Sequence, residues 1–164
     1  MSNANINSQS GEKEIVITRI FDAPKELVWK AWSDSEEIIK WWGPKEFTSP
    51  YCQTDFKVGG KNLFCMESKK DGSKIWSTGV YKEIIPFEKI VMTDCFSDEN
   101  GNMVSAAEYG MEGVPLEMMI TVTFEEVDGK TKMTLVHSNL PDDHHQGANV
   151  GWNESFDKLE ASLK

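Results

Sequence analysis

The sequence predicts an α+β fold in which one long C-terminal helix lies across an antiparallel sheet. Three observations predict it. From about residue 50 to residue 139 the apolar residues recur with period two, and turn residues divide them into short runs. Asp128-Gly129 joins two of those runs as a tight hairpin. After Pro141 the period changes: Ala148, Trp152, Phe156, Leu159 and Leu163 recur at spacings of four and three, which makes one apolar stripe on a helix.

The elements follow in order. Glu14 to Phe21, EIVITRIF, is apolar and β-branched and reads as the first strand. The stretch Phe21 to Pro44 then holds four of the chain's six tryptophans. Pro24 suits the first turn of a helix over 24–33, where a missing N–H costs nothing. Ser33 and Glu36 read as a capping box that opens a second helix over 35–42, and Gly43-Pro44 read as its end. Trp29 and Trp32 stand three apart and read as core packing. Trp41 and Trp42 are adjacent and diverge by about 100° on a helix. They are not expected to share one core, and one of them is expected to face a cavity mouth.

Six further strands are predicted near 50–57, 61–68, 74–85, 88–96, 117–126 and 130–139. Val58-Gly59-Gly60, Asp71-Gly72, Pro86-Phe87 and Asp128-Gly129 separate them. In the last hairpin Ile120, Val122 and Phe124 share a face, as do Met133, Leu135 and His137. One side of the sheet is therefore buried and the other wet. Residues 97–115 are long for a connection and read equally as a flap or as a mobile hairpin end. Asp142 or Asp143 can cap the last helix. Gly147 and Gly151 each weaken it by about 1 kcal/mol relative to Ala. Glycines there imply a close approach by another group, or room left for one.

Composition excludes several classes. The 164 residues suit one domain, 13–164, behind a polar tail, 1–12, that is expected to be disordered. Seventeen basic against 27 acidic residues leave a net charge of −10, a poor basis for general binding of nucleic acid or anionic lipid. No apolar run approaches a membrane span, and MSNANINSQSG lacks the apolar region of a signal peptide. Cys52, Cys65 and Cys95 are scattered and form no C-x-x-C pair, which favours reduced thiols and a cytoplasmic location. Asp142, Asp143, His144 and His145 are adjacent rather than spaced as metal ligands, so capping is the simpler account and no metal is expected. There is no G-x-S-x-G, no G-x-G-x-x-G and no P-loop, and no cofactor is expected.

Six segments in order carry a resemblance: FDAPKELVWKAW, WWGP, VGGK, GVYKEIIPFEKI, FEEVDGKTKMTL and GWNESFDKL. Together they resemble the bacterial and archaeal proteins related to the C-terminal domain of the heat-shock-protein-90 ATPase activator, within the START-like (SRPBCC) superfamily. The resemblance runs from about Glu14 to Leu163. It implies the helix-grip fold, a curved seven-stranded antiparallel sheet wrapped around the long C-terminal helix, with two short helices after the first strand. It also implies an apolar cavity between sheet and helix.

Candidate lining residues for that cavity are Trp41, Trp42, Phe64, Met66, Trp76 and Tyr81. Met92, Met118, His137, Trp152 and Phe156 complete the set. Aromatic rings and flexible thioethers suit an adaptable apolar pocket. His137 alternates onto the apolar face, where a core role is favoured over a ligand contact or acid–base chemistry. No catalytic residue is assigned. The leading expectation is a protein that binds a small apolar or aromatic ligand, with no nucleic-acid or membrane partner and with a homodimer as a reasonable prior. The alternatives are a co-chaperone that activates a heat-shock-protein-90 ATPase, which the resemblance alone suggests, and a cyclase- or hydrolase-like enzyme using His137 with Tyr81 or Asp94.

Overall fold

The computed structural model describes residues 14–164. The expected tail, 1–12, lies outside the described residues. Strand β1, Glu14–Phe21, is followed by helices α1, Lys25–Ser33, and α2, Ser35–Ile38. Strands β2, Phe47–Thr54, β3, Lys61–Ser68, β4, Lys74–Ile85, and β5, Lys89–Ser97, come next. A short 3-10 turn, Ala106–Tyr109, leads to β6, Met118–Val127, and β7, Lys130–Ser138. A second 3-10 turn, Asp142–His144, opens α3, His145–Ser162.

The seven strands form one sheet in the order β1-β7-β6-β5-β4-β3-β2, and every neighbouring pair is antiparallel. From β2 to β7 the strands pair in chain order, through short turns everywhere except the long β5–β6 connection. β1 alone makes a long-range pairing, to β7, with Phe21 opposite Thr131. The β6–β7 turn has φ of 53° at Asp128 and 79° at Gly129, the left-handed pair that a two-residue hairpin needs. Its register sets Ile120 opposite His137, Val122 opposite Leu135 and Phe124 opposite Met133, all buried.

Several boundaries differ from the expected ones. The second strand begins at Phe47 rather than 50 and ends at Thr54. Pro50 falls inside it, which is tolerated because β2 is an edge strand and its register shifts between Thr48 and Tyr51. The second helix ends at Ile38 instead of reaching 42. Its cap is Asp34, whose carboxylate accepts from the Glu36 N–H at 3.0 Å, in place of the Ser33–Glu36 box. Neither Asp142 nor Asp143 caps α3 through its side chain, because the 3-10 turn occupies those positions.

The core sits between the concave face of the sheet and the helices. Trp29 packs edge-on against Phe56 and Phe124, with ring centroids at 5.6 and 5.4 Å. Trp32 meets Trp41 at 4.8 Å, and its indole N–H reaches the Met133 sulfur at 3.2 Å. Phe156 and Leu159 of α3 are fully buried. Two polar ties hold that helix in place. Arg19 of β1 donates to Asp157 at 2.8 Å and to the Asn153 carbonyl at 3.3 Å. On the other flank Lys158 donates to the carbonyls of Pro44 and Phe47 at 3.2 and 3.0 Å. Burial lowers the pKa of Lys158, and the nearby Lys69 charge lowers it further.

Candidate functional site

The N-terminal half of α3 does not close onto the sheet. A partly open cleft of about 430 Å³ remains between them. Its floor is the concave face: Met66 on β3, Ile75 and Ser77 on β4, Asp94 and Phe96 on β5, Met118 on β6 and His137 on β7. Its roof is Gly147, Ala148, Gly151, Trp152 and Ser155 of α3. Trp42, Gly43, Pro44 and Phe47 close one side, and Met111, Val114 and Leu140 the other.

The two helix glycines have different surroundings. A Cβ on Gly147 would meet nothing within 4 Å, so this glycine leaves space at the cleft. A Cβ on Gly151 would lie 3.4 Å from the Pro44 ring, so this one admits the loop that follows α2. That loop turns at Gly43, whose φ of +102° is a region side chains rarely adopt. A Cβ there would also stand 3.2 Å from the Met66 sulfur.

Trp41 and Trp42 are both buried, contrary to the expectation that they could not share a core. The helix stops at Ile38, so the pair sits in a turn, and the α1 side, α3 and the sheet surround it. Trp41 packs behind the cleft against Trp32 and Phe156, and its N–H donates to the Ala31 carbonyl at 2.9 Å. Trp42 forms the cleft wall. It stacks on Phe64 at 4.2 Å and stands at 90° to Trp152, 5.6 Å away.

His137 is buried, and the polar geometry of the cleft centres on it. The Trp152 indole N–H donates to His137 Nδ1 at 3.0 Å. An indole nitrogen can only donate, so Nδ1 carries the lone pair and Nε2 carries the hydrogen. That Nε2 lies 3.4 Å from Asp94 Oδ2 but is not aligned for a hydrogen bond, and it has no other partner among the described residues. Asp94 is opposite Met118 and His137 is opposite Ile120, so the two side chains meet across β6.

The sequence-derived candidates therefore divide. Trp42, Met66, Met118, His137 and Trp152 line the cleft. Trp41, Phe64 and Phe156 pack behind it. Met92 is buried in the floor, where its sulfur faces the Asn62 amide at 3.5 Å. Trp76 is corrected to the opposite face, against Tyr51 at 5.8 Å, because period two on β4 turns Ile75 and Ser77 inward. Tyr81 is corrected to the far end of the concave face, against Phe56 at 5.0 Å, and burial raises its pKa.

Asp94 and Phe96 were legible as lining residues, since they stand two and four places beyond Met92 on one strand. The segment 97–115 does reach the cleft through Met111 and Val114. Tyr109 anchors it by donating to the Ser97 carbonyl at 2.5 Å, and a second tie joins His144 Nε2 to the Glu112 carbonyl at 2.8 Å. The acidic and histidine residues before α3 are dispersed: His144 faces Glu112 while His145 Nε2 meets the Leu140 carbonyl. Among the described residues no group of three metal-ligating side chains converges.

Residues 22–164 match the sequence model of the family described as activator of Hsp90 ATPase homolog 1-like protein. The chain belongs to this family. The family lies within the START-like (SRPBCC) superfamily, and the architecture above is its helix-grip fold. Solved structures agree. A protein from Chromobacterium violaceum shares 26% identity at a TM-score of 0.75, over 92% of this chain and 96% of that one. A protein from Arthrobacter aurescens shares 24% at 0.81, over 98% and 91%. One from Nitrosomonas europaea shares 20% at 0.76, over 96% of each chain. No curated protein matches the sequence. No described helix of this family member is long and apolar enough to cross a membrane.

Proposed function

We propose that this chain is a cytoplasmic carrier or receptor that holds a small apolar or aromatic ligand between its sheet and α3. One observation carries the reading: an apolar cleft of about 430 Å³, walled by Trp42 and Trp152, lies between the sheet and α3. That volume falls within the range of about 300–1,000 Å³ typical of small-molecule sites. Its polar groups are few, and Asp94 and the Trp152 N–H meet at His137, a suitable point for orienting an otherwise apolar guest. Three free cysteines, two of them buried, suit a reducing compartment.

The test is occupancy. Native mass spectrometry of freshly purified protein is expected to show a small apolar compound travelling with the chain. The neutral dye Nile red is expected to bind one equivalent, and Ala148→Trp, which fills the roof, is expected to abolish that binding. A folded wild-type protein that binds neither would overturn the reading. The family description also supports a second one, stimulation of a chaperone ATPase. An ATPase assay with the chaperone from the same organism checks it, and an unchanged rate at saturating protein would exclude it.

A further inference from the structure

Asp94 and Asp143 line the cleft, and no lysine or arginine is among its lining residues. The titratable groups beside them are His137 and His144, and the nearby Lys158 ammonium is turned to the Pro44 and Phe47 carbonyls. Asp94 is partly buried there, and among the described residues its ion-pair neighbour is His137 alone. That neighbour presents a neutral Nε2–H, poorly aligned, while its other nitrogen is held by Trp152. A carboxylate in an apolar setting without a full cation gains strongly from one. His137 Nε2 itself is buried without a hydrogen-bond partner, which marks the same corner as polar and incomplete. The rings of Trp42, Trp152 and Phe96 border the same space, and aromatic rings can attract cations.

From this geometry we infer that the guest is an aromatic or alkyl amine, whose ammonium pairs with Asp94 while its apolar body lies against the wall that Trp42 and Trp152 form together. The Trp152–His137 hydrogen bond makes His137 a positioning residue that fixes the ring beside the carboxylate. Asp143, exposed at the rim, adds an attractive field at the entrance, as does the net charge of −10. Anionic guests such as fatty acids or aryl carboxylates are disfavoured by the same two carboxylates. The inference rests on the cleft being a ligand site.

A matched series tests both ideas separately by calorimetry at neutral pH. The probes are 1-naphthylmethylamine, 1-naphthalenemethanol, 1-methylnaphthalene and 1-naphthoate. The amine is expected to bind at least about tenfold more tightly than the methyl compound, with the carbinol between them and the carboxylate weakest. Asp94→Asn is expected to bring the amine down to the level of 1-methylnaphthalene and to leave the latter within about twofold. Asp143→Asn is expected to weaken the amine by only about twofold, because water and salt screen an exposed charge. Equal binding of all four probes, or an amine preference that survives in Asp94→Asn, overturns the cation inference and leaves the apolar site standing. Binding of none up to the solubility limit overturns both.

Discussion

The two halves of α3 share one helix and one sheet but have opposite surroundings. Its C-terminal half puts Phe156 and Leu159 into a solid core, both fully buried. Its N-terminal half carries Gly147, Ala148 and Gly151 and spans an open cleft. The adjacent tryptophans repeat the contrast, with Trp41 fully buried behind the cleft and Trp42 forming its wall. The difference shows where the fold draws its stability and where it keeps space. Large side chains close the end that Arg19 and Lys158 tie down, while Gly147, Ala148 and Gly151 leave room beside Trp152 at the other.

The largest test of this contrast is truncation at each end. Phe156→Ala removes a ring packed against Phe21, Trp32 and Trp41, and it is expected to cost about 3–5 kcal/mol in denaturant unfolding. Met66→Ala at the cleft floor, where space already exists, is expected to cost less than half as much. Equal losses would mean that the cleft is not a separate region. A smaller effect is expected at the helix glycines. Gly147→Ala meets open space and is expected to stabilise by about 0.5–1 kcal/mol. Gly151→Ala is expected to gain less, because its methyl comes within 3.4 Å of Pro44. Thermal unfolding of the two variants compares them, and the reverse order would break the assignment of space to Gly147.

The smallest effect expected at neutral pH concerns the thiols on the sheet. Cys65 and Cys95 are buried, and burial pushes both thiols up from 9.0 to about 11. A raised thiol pKa means that the folded state favours the neutral form. The stabilisation is therefore complete below pH 9.0, the unfolded value, and is lost as pH rises towards about 11. Unfolding midpoints are expected to stay flat in this term at pH 7–8 and to fall between 9 and 11. A disulfide-exchange reagent at neutral pH is expected to titrate these two only after unfolding. Prompt reaction of Cys95, on the same strand as Asp94, would show that the cleft end of the sheet opens readily.

Much of this was legible in residues alone. The alternation of Ile120, Val122 and Phe124 against Met133, Leu135 and His137 is local, and the sheet keeps it unchanged. The stripe on α3 likewise needs only helical period. Element ends were less legible, since Ser33 and Asp34 are both good caps and only geometry chose Asp34. The site was legible in part. Period two alone puts Asp94 and Phe96 on the face of Met92, and puts Trp76 on the face opposite Ile75 and Ser77.

By itself, then, the sequence determined the order of strands and helices, the buried face of each, and the need for one long helix to cover the sheet. These follow from periodicity and turn chemistry, which act over a few residues. Only the tertiary structure decided how far that helix closes, which indole of the pair faces the cleft, and that His137 meets both Trp152 and Asp94. Those depend on contacts between β5, β7 and α3 and between the loop after α2 and α3: Asp94 and His137 are 43 places apart, and Trp42 and Trp152 are 110 apart. Side chains so far apart in the chain are brought together by sheet register and helix docking, which no local pattern encodes.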